Sequence, residues 1–225
     1  MTVRRPIVAI DGPVGAGKST TARRVAKELG FLFVDTGAMY RAVTLDVLLH
    51  GVNPDDEEGV REVAGRSVVE LRAAGSDQRT YLNGEDVTDR IRDRDVTSAV
   101  SAVSAQRAVR EHMTGLQRRL GRNGGIVMEG RDIGTVVFPD AEFKIYLDAS
   151  IETRAGRRFE ELESKGIKVS LRELVEEIME RDRANKERVL APLKKAPDAV
   201  LIDTTDMTLE EQVATIVSLV RGEKG

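Results

Sequence analysis

The sequence predicts an α/β protein of three layers, in which helices cover both faces of a central parallel β-sheet. Five short apolar runs, rich in β-branched residues and bounded by Gly, Asp or Pro, have the composition of buried parallel strands. These runs are RPIVAI (5–10), FLFV (31–34), GIVM (125–128), FKIYL (143–147) and AVLI (199–202). Because helical patterns lie between the runs, we expect right-handed crossovers between neighbouring strands.

The helical patterns consist of apolar residues spaced three and four apart. Such spacing places the residues on one face of a helix and predicts a buried stripe. One set is Val96, Val100, Val103, Val109, Met113, Leu116 and Leu120, and a second set is Leu171, Leu174, Val175 and Ile178.

One region interrupts the alternation of strands and helices. Between residues 67 and 87, two short runs with period-two alternation flank the turn signal AGSDQ, and Asn83-Gly84 marks a further turn. We expect a small antiparallel insert at about 63–96 within a single domain of 1–225. The preceding NPDDEEGVRE (53–62) is expected to form a loop and a short helix.

Composition limits the classes of function. The 225 residues include 35 basic and 38 acidic side chains, so the near-neutral charge argues against binding to a nucleic-acid polymer. With no Cys and two His, neither a disulfide framework nor a thiolate or histidine metal site is expected. The N-terminal apolar run is shorter than a signal peptide needs, and no run approaches the length of a membrane span. We therefore expect a soluble, cytoplasmic protein without a membrane partner, and a monomer.

A phosphate-binding loop follows the first predicted strand. Gly12-x-x-x-x-Gly17-Lys18-Ser19 matches the Walker A pattern, with a strand before it and a helix after it. Backbone N–H groups of such a loop converge on phosphate oxygens, while the lysine and the hydroxyl serve the transferred phosphoryl group and Mg²⁺. The predicted residues of the ATP site are Asp11, Gly12, Pro13, Val14, Gly15, Ala16, Gly17, Lys18, Ser19 and Thr20, with Ser19 as the metal ligand.

Other nucleotide-binding classes fit less well. The glycines are spaced G-x-x-G-x-G, whereas a dinucleotide-binding turn needs G-x-G-x-x-G. The guanine-reading N-K-x-D of a GTPase is missing, since NKER (185–188) lacks the final Asp. A small-molecule kinase and a hydrolytic P-loop switch both remain open.

Arginines follow two further predicted strands. DTGAMYR (35–41) comes directly after the second strand and carries Thr36, Tyr40 and Arg41, and Arg131 and Asp132 follow the third. The carboxyl ends of parallel strands share one edge of a sheet, where open α/β sheets bind ligands. Arginine suits phosphate because its planar fork donates two parallel hydrogen bonds.

Two later helices add further cations. Arg181, Asn185 and Arg188 are spaced four and three apart and share a face, which is either part of the same anion site or a solvated stripe. Three further arginines, Arg154, Arg157 and Arg158, lie in the sequence DASIETRAGRRFEELESKG (148–166). They fall within a candidate lid segment of about 150–168. That segment is either a mobile lid over the donor phosphates or a surface helix with partners such as Glu161.

Taken together, these motifs resemble those of the bacterial cytidylate kinases, a family of nucleoside-monophosphate kinases. The resemblance runs through IDGPVGAGKST, DTGAMYR, EGRDIGTVVFPDA, KIYLDAS and RVLAPLKKAPDAVLIDTT. It implies a three-layer P-loop kinase fold with a central parallel five-stranded sheet, a small antiparallel monophosphate-binding insert and a helical lid. It also implies that the protein transfers phosphate from ATP, in the presence of Mg²⁺, to CMP or dCMP, giving ADP and CDP or dCDP.

The resemblance further implies roles for particular residues. By analogy, Arg41, Arg131 and Arg188 hold the acceptor phosphate, and Arg181 acts near the ribose or the transferring phosphates. Cytosine would be read by Ser101, Arg110 and Asp132. The catalytic group would be Lys18, Arg131, Arg181 and Arg188, with Arg157 and Arg158 at the donor and Thr36, Tyr40 and Asn185 at the acceptor.

Three positions raise questions. Ser101 and Arg110 are nine residues apart, so a single straight helix would place them on opposite faces. We therefore expect a helix break near 102–106, or else one of the two roles is wrong. Asn185 stands where the family commonly has an aspartate for ribose hydroxyls, which puts the balance between CMP and dCMP in doubt. Thr36 replaces the usual serine and keeps the hydroxyl.

Overall fold

The computed structural model describes residues 5–75, 77–164 and 166–223. Ser76, in the turn signal of the predicted insert, and Lys165, in the predicted lid, lie outside the described residues. Contacts between Cα atoms divide the chain into two units. We call Arg5–Leu32 together with the chain from Gly125 onward the P-loop unit, and Phe33–Gly124 the intervening unit.

Strands and helices alternate along most of the chain. In chain order they are β1 (Ile7–Asp11), α1 (Lys18–Leu29), β2 (Leu32–Asp35), α2 (Thr36–Leu49), α3 (Glu57–Arg66), β3 (Val69–Ala74), β4 (Asp77–Leu82), β5 (Glu85–Asp86), α4 (Arg94–Ala105), α5 (Arg107–Leu120), β6 (Ile126–Gly130), β7 (Phe143–Asp148), α6 (Ile151–Ser164), α7 (Leu171–Glu187), β8 (Val200–Asp203) and α8 (Leu209–Arg221). A 3-10 turn covers Arg90–Arg92 and a π-helical turn covers Ile133–Val137.

A five-stranded sheet in the order β2-β6-β1-β7-β8 forms the centre of the fold. Strand β1 pairs in parallel with β6 on one side and β7 on the other, and β7 pairs in parallel with β8. The register sets Asp11 opposite Gly130 and Tyr146. The predicted parallel sheet with helices on both faces is confirmed.

The inner strands β1 and β6 are buried as predicted, whereas the inner strand β7 is buried only at Ile145–Leu147 and the outer strands are partly exposed. All five residues of β1 and of β6 are buried. By contrast, Leu32 in β2 is 43% exposed and Leu201 in β8 is 56% exposed. An outer strand has a neighbouring strand on one side only, so its apolar run is less completely covered.

Helices of the P-loop unit pack in pairs. Helix α1 contacts α8, and α6 contacts α7. Leu174 and Ile178 on α7 are buried as their spacing predicts, whereas Leu171, the first residue of α7, is 49% exposed. Ser170 and Thr208 are the N-caps of α7 and α8, and each forms a capping box with the glutamate three residues later, which fixes where the helix starts.

The intervening unit contains the predicted small antiparallel sheet, with β4 between β3 and β5. Asn83 and Gly84 both have positive φ, as the tight turn between β4 and β5 requires. Helix α2 is buried along most of its length and contacts α3, α4 and β4. Helix α3 follows the loop at 53–56, so the predicted loop and short helix are confirmed.

Among the residues that the structure describes, no helix combines the length and the apolar character that crossing a membrane requires.

Candidate active site

The loop from Asp11 to Lys18 has the backbone of a phosphate cradle. A Cβ on Gly12 would lie 2.0 Å from the Leu147 carbonyl oxygen, so only glycine fits where the loop leaves β1. Gly17 adopts a left-handed conformation, with φ of 83°, as the N-cap of α1. It contributes no side-chain hydrogen bond to the first turn of α1. The N–H groups at the start of α1 therefore have no side-chain cap from Gly17, and such groups at a helix N-terminus can donate to an anion.

Lys18 lies buried in this loop. Its Nζ donates to the Pro13 carbonyl oxygen over 2.6 Å. Burial, followed by the charge of Arg131, lowers the pKa of Lys18 to about 7, although carboxylates including Glu129 and Asp182 oppose the shift. A phosphate anion next to Lys18 would favour its charged form.

Ser19 and Glu129 form the candidate metal site. The Ser19 hydroxyl in the first turn of α1 donates to Oε1 of Glu129 in β6 over 2.5 Å. Glu129 is buried, at 4% exposed. A hydroxyl and a carboxylate are the hard oxygen ligands that Mg²⁺ prefers, and P-loop proteins hold this ion with a P-loop hydroxyl and a nearby acidic residue.

Asp11 connects the P-loop to the turn that follows Arg131. Its carboxylate accepts hydrogen bonds from the N–H groups of Ile133 and Gly134, each over 2.8 Å. Burial raises the pKa of Asp11 to about 6, although the two N–H groups lower it. Asp11 is predicted from the sequence as a residue of the ATP site, and in the structure its carboxylate holds the first two residues of the π-helical turn.

Four cations in the P-loop unit lie close enough to influence one another. Burial lowers the pKa of Arg181, and the charges of Arg131 and Arg158 lower it further. Arg131 also lowers the pKa of Lys18. The Nε of Arg181 is buried and makes no hydrogen bond within the described part of the chain, and Glu177 lies 3.6 Å from its Nη1. Buried cations this close to one another, with perturbed pKa values, are typical of a functional site.

Asp132 and Arg188 form a buried ion pair in the same unit. Nη2 of Arg188 lies 3.5 Å from Oδ1 of Asp132, and the two side chains are 9% and 5% exposed. Nε of Arg188 donates to the Ala191 carbonyl oxygen, and Ala191 has a φ of 50°. Asp132, which is predicted to read the cytosine base, thus contacts Arg188, which is predicted to bind the acceptor phosphate.

Asn185 lies one helical turn after Arg181. Its amide Nδ2 donates to the Arg181 carbonyl oxygen over 2.7 Å. This bond orients the side-chain oxygen of Asn185, which is the atom that can accept from a hydroxyl.

The three arginines of α6 have different environments. Arg154 is buried and forms an ion pair with Asp182, so it is neither an exposed residue of a surface helix nor a cation free to reach the donor phosphates. Arg157 donates to Oγ1 and the carbonyl oxygen of Thr204, and its Nη1 would lie 3.7 Å from a Cβ on Gly17. Arg158 pairs with Glu161 over 2.6 Å, as the surface-helix alternative expects. Arg157 nevertheless lies beside the P-loop, and Arg158 lies close enough to Arg181 to lower its pKa.

In the intervening unit, α2 presents three of the predicted acceptor residues. Asp35 caps the helix by accepting from the Ala38 N–H over 3.0 Å, and Thr36 is the first helical residue. Nη1 of Arg41 donates to the Ile91 carbonyl oxygen and to the Thr97 hydroxyl. The Tyr40 ring lies 5.3 Å from the guanidinium carbon of Arg110. Arg41 is thus held in a defined orientation within this unit.

The expected helix break is confirmed. Helix α4 ends at Ala105 and α5 begins at Arg107, with Gln106 in an extended conformation at ψ of 138°. Ser101 and Arg110 therefore lie on different helices, and the argument from a single straight helix no longer separates them. Arg110 is 5% exposed, and its Nη1 donates to the Ser104 carbonyl oxygen.

Sequence reasoning missed two carboxylates of the P-loop unit. Glu129 had a usable signal, because it ends an apolar strand directly before Gly130 and Arg131. Asp182 had none, because its partners Arg154 and Val14 are 28 and 168 residues away in the chain.

Comparisons with known proteins agree with this geometry. A family model described as cytidylate kinase matches residues 8–222. A protein named cytidylate kinase from Pelotomaculum thermopropionicum is 52% identical over 216 residues, which are 96% of each chain. One of the same name from Bacillus pumilus is 50% identical over 210 residues, which are 93% of each chain. An uncharacterized protein from Eubacterium ventriosum has a similar fold, with a TM-score of 0.50 and 13% identity, over 96% of this chain and 99% of that one.

Proposed function

Because the chain belongs to the cytidylate kinase family, we propose that it transfers the γ-phosphate of ATP to CMP or dCMP, giving ADP and CDP or dCDP. The observation that carries this proposal is the cation cluster of Lys18, Arg131, Arg158 and Arg181 beside a P-loop. A phosphate acceptor must approach a phosphate donor despite their like charges, and several arginines offset that repulsion.

The donor half of the proposal rests on the P-loop unit. ATP phosphates would receive hydrogen bonds from the N–H groups at the start of α1, and Lys18 would contact the γ-phosphate. Ser19 and Glu129 fit Mg²⁺ by their chemistry and their contact, and would hold it. When bound, Mg²⁺ neutralises charge on the donor phosphates.

The part of the proposal that concerns the acceptor, CMP or dCMP, rests on the surroundings of individual residues and on the family resemblance. In the P-loop unit, Arg131 and Arg188 would bind the monophosphate, and Asp132 would accept from the cytosine amine. In the intervening unit, Thr36, Tyr40 and Arg41 are proposed for the monophosphate, and Ser101 and Arg110 for the base. Asn185 is proposed for the ribose.

The proposed reaction is a direct in-line transfer without a covalent enzyme intermediate. The acceptor is a phosphate that is already ionised near neutral pH, so no general base is needed. What the chain supplies is orientation and positive charge where negative charge develops in the transition state. Lys18, Arg131, Arg181 and Arg188 are the groups proposed for this task.

Helix α6 is proposed as the lid, which covers about 150–168. The chain is proposed to be a single domain, 1–225, and its monophosphate-binding insert covers about 63–96. Arg157 and Arg158 on α6 would add charge over the donor phosphates and exclude water. Arg154 is left out of this role because its guanidinium is buried against Asp182.

A panel of acceptors tests the function. CMP, dCMP, UMP and AMP are each supplied with ATP and Mg²⁺, and ADP is detected by a coupled assay. Transfer to CMP or dCMP is expected, with little to UMP and AMP. A preference for UMP or AMP would indicate a different monophosphate kinase, and rapid ATP hydrolysis without any acceptor would indicate a hydrolytic switch.

A monomer in the cytoplasm is proposed as the working state. Nucleotides are the only partners that the proposal requires. Light scattering of the purified protein tests the first point, and cell fractionation tests the second.

A further inference from the structure

We propose that Arg154 and Asp182 form a clamp that holds Val14 and thereby orders the P-loop before ATP binds. The clamp joins the loop to α6, which carries Arg154, and to α7, which carries Asp182. The proposal rests on the proposed function in one respect, since that function identifies ATP as the ligand.

Both backbone polar groups of Val14 are held. Its N–H donates to Oδ1 of Asp182 over 3.1 Å, and its carbonyl oxygen accepts from Nη1 of Arg154 over 3.0 Å. The same Nη1 donates to Oδ2 of Asp182, and Nε of Arg154 donates to the Ala149 carbonyl oxygen. The three residues therefore form a closed ring of hydrogen bonds around one peptide segment of the loop.

Packing reinforces the ring. The side chains of Arg154 and Asp182 are 10% and 9% exposed. The Val14 side chain packs against a buried apolar cluster formed by Ala155 of α6 with Leu174 and Ile178 of α7. A Cβ on the next residue, Gly15, would lie 3.0 Å from the Cβ of Arg154. Val14 is thus fixed by its backbone and by its side chain.

Stability alone does not explain a charged pair at this position. Desolvation of a buried ion pair offsets much of its attraction, and apolar residues of similar size are often as stabilising. Apolar residues cannot, however, hydrogen-bond both polar groups of Val14. The charged pair is therefore suited to positioning, which is a different task from stabilising the packing of α6 against α7.

The loop has a reason to need such a hold. Gly12, Gly15 and Gly17 all adopt positive φ, and glycine loses more conformational freedom on ordering than other residues. A loop that is ordered in advance loses less entropy when the nucleotide binds, so its affinity is higher. Arg154 and Asp182 are accordingly positioning residues, which act on ATP through the backbone of Val14.

The test separates positioning from stability. Arg154→Met, Asp182→Leu and the double variant are made in the full chain. Binding of a non-hydrolysable ATP analogue with Mg²⁺ is measured by calorimetry without acceptor, and stability is measured by urea denaturation. CMP binding is measured in a separate titration.

The single variants are expected to lose stability, because each leaves a buried charge without its partner. The double variant is expected to recover part of it, because no buried charge remains although the polar groups of Val14 have lost these partners. In all three, affinity for the analogue is expected to fall about tenfold, whereas CMP affinity stays within about twofold. The matched control is the double variant Arg172→Met with Glu176→Leu, which removes an exposed ion pair of α7, the helix that carries Asp182. It should change neither the affinity for the ATP analogue nor the affinity for CMP.

Wild-type affinity for the analogue in the stable double variant would overturn the clamp, because the pair would then be only structural. An equal loss of CMP affinity would also overturn it. The failure of the proposed function is a separate result: a wild-type chain that binds the analogue but does not phosphorylate CMP would contradict the function and leave the test of the clamp intact.

Discussion

The Ser19 hydroxyl and the Glu129 carboxylate meet over 2.5 Å, joining the first turn of α1 to the last part of β6. Replacing Glu129 by Gln keeps a side-chain oxygen for the hydroxyl and removes the negative charge. If this pair holds Mg²⁺, Glu129→Gln should raise the Mg²⁺ concentration needed for half-maximal transfer by about tenfold. The measurement is a Mg²⁺ titration at saturating ATP and CMP. Glu152→Gln, at an exposed position of α6, is the control, and an unchanged Mg²⁺ requirement in Glu129→Gln would contradict the assignment.

Lys18→Ala should fold normally and lose transfer activity. Burial lowers the pKa of Lys18 to about 7, so the fold gains little from its charge, and the alanine variant should still unfold in one cooperative thermal transition. The rate of transfer to CMP should fall by about 100-fold, because the γ-phosphate loses a cation. Coupled detection of ADP measures the rate, and Lys27→Ala, exposed on the same helix, should keep it. Transfer at the parent rate by Lys18→Ala would show that the cradle is assigned incorrectly.

Asp132→Ala should impair the use of CMP far more than the binding of ATP. The variant removes the proposed acceptor for the cytosine amine and leaves buried Arg188 without this carboxylate. We expect kcat/KM for CMP to fall by about 100-fold, with the KM for ATP changed by less than about threefold. Steady-state kinetics with each substrate varied in turn provide both values. Asp140→Ala, exposed in the same segment, is the control, and equal losses for both substrates would rule out a role in reading the base.

Asp11 should make stability depend on pH in a defined direction. Its pKa is raised from 3.8 to about 6 in the folded protein, so below both values the group costs nothing, and as pH rises through this range the unfolded chain ionises first. The contribution of Asp11 to stability therefore falls with rising pH. Relative to Asp11→Asn, the free energy of unfolding of the wild type should fall by about 1 kcal/mol between about pH 5 and about pH 7. Urea denaturation of both proteins measures this difference, and a difference that does not vary with pH, or that rises, would contradict it.

Local patterns predicted much of the fold because their causes are local. The glycines and Lys18 of the P-loop follow from the sharp turn between β1 and α1, and the Asn83-Gly84 turn follows from its need for positive φ. In both cases the physical requirement acts within a few residues of the chain. The break at Gln106 had a different source, because it was expected only if Ser101 and Arg110 share the role that the family resemblance implies for them.

Contacts between residues far apart in the chain could be predicted only where both residues follow the carboxyl ends of neighbouring parallel strands. The carboxyl ends of β1 and β6 are neighbours in a parallel sheet, so the approach of Arg131 to the P-loop could be anticipated. The partner of each side chain could not. Asp11 is directed at the N–H groups of Ile133 and Gly134, and Asn185 at a carbonyl oxygen of its own helix.

By itself, the sequence determined the class of the protein: a parallel sheet, a P-loop, a set of arginines and membership of a kinase family, all encoded in spacing and composition. Only the tertiary structure decided which side chains pair with one another and which polar atoms are left without a hydrogen bond. It paired Arg154 with Asp182 and Arg188 with Asp132, and left Arg181 with a buried Nε that makes no hydrogen bond within the described residues. The physical reason is that charge pairing depends on distance and burial, which folding sets between residues far apart in the chain.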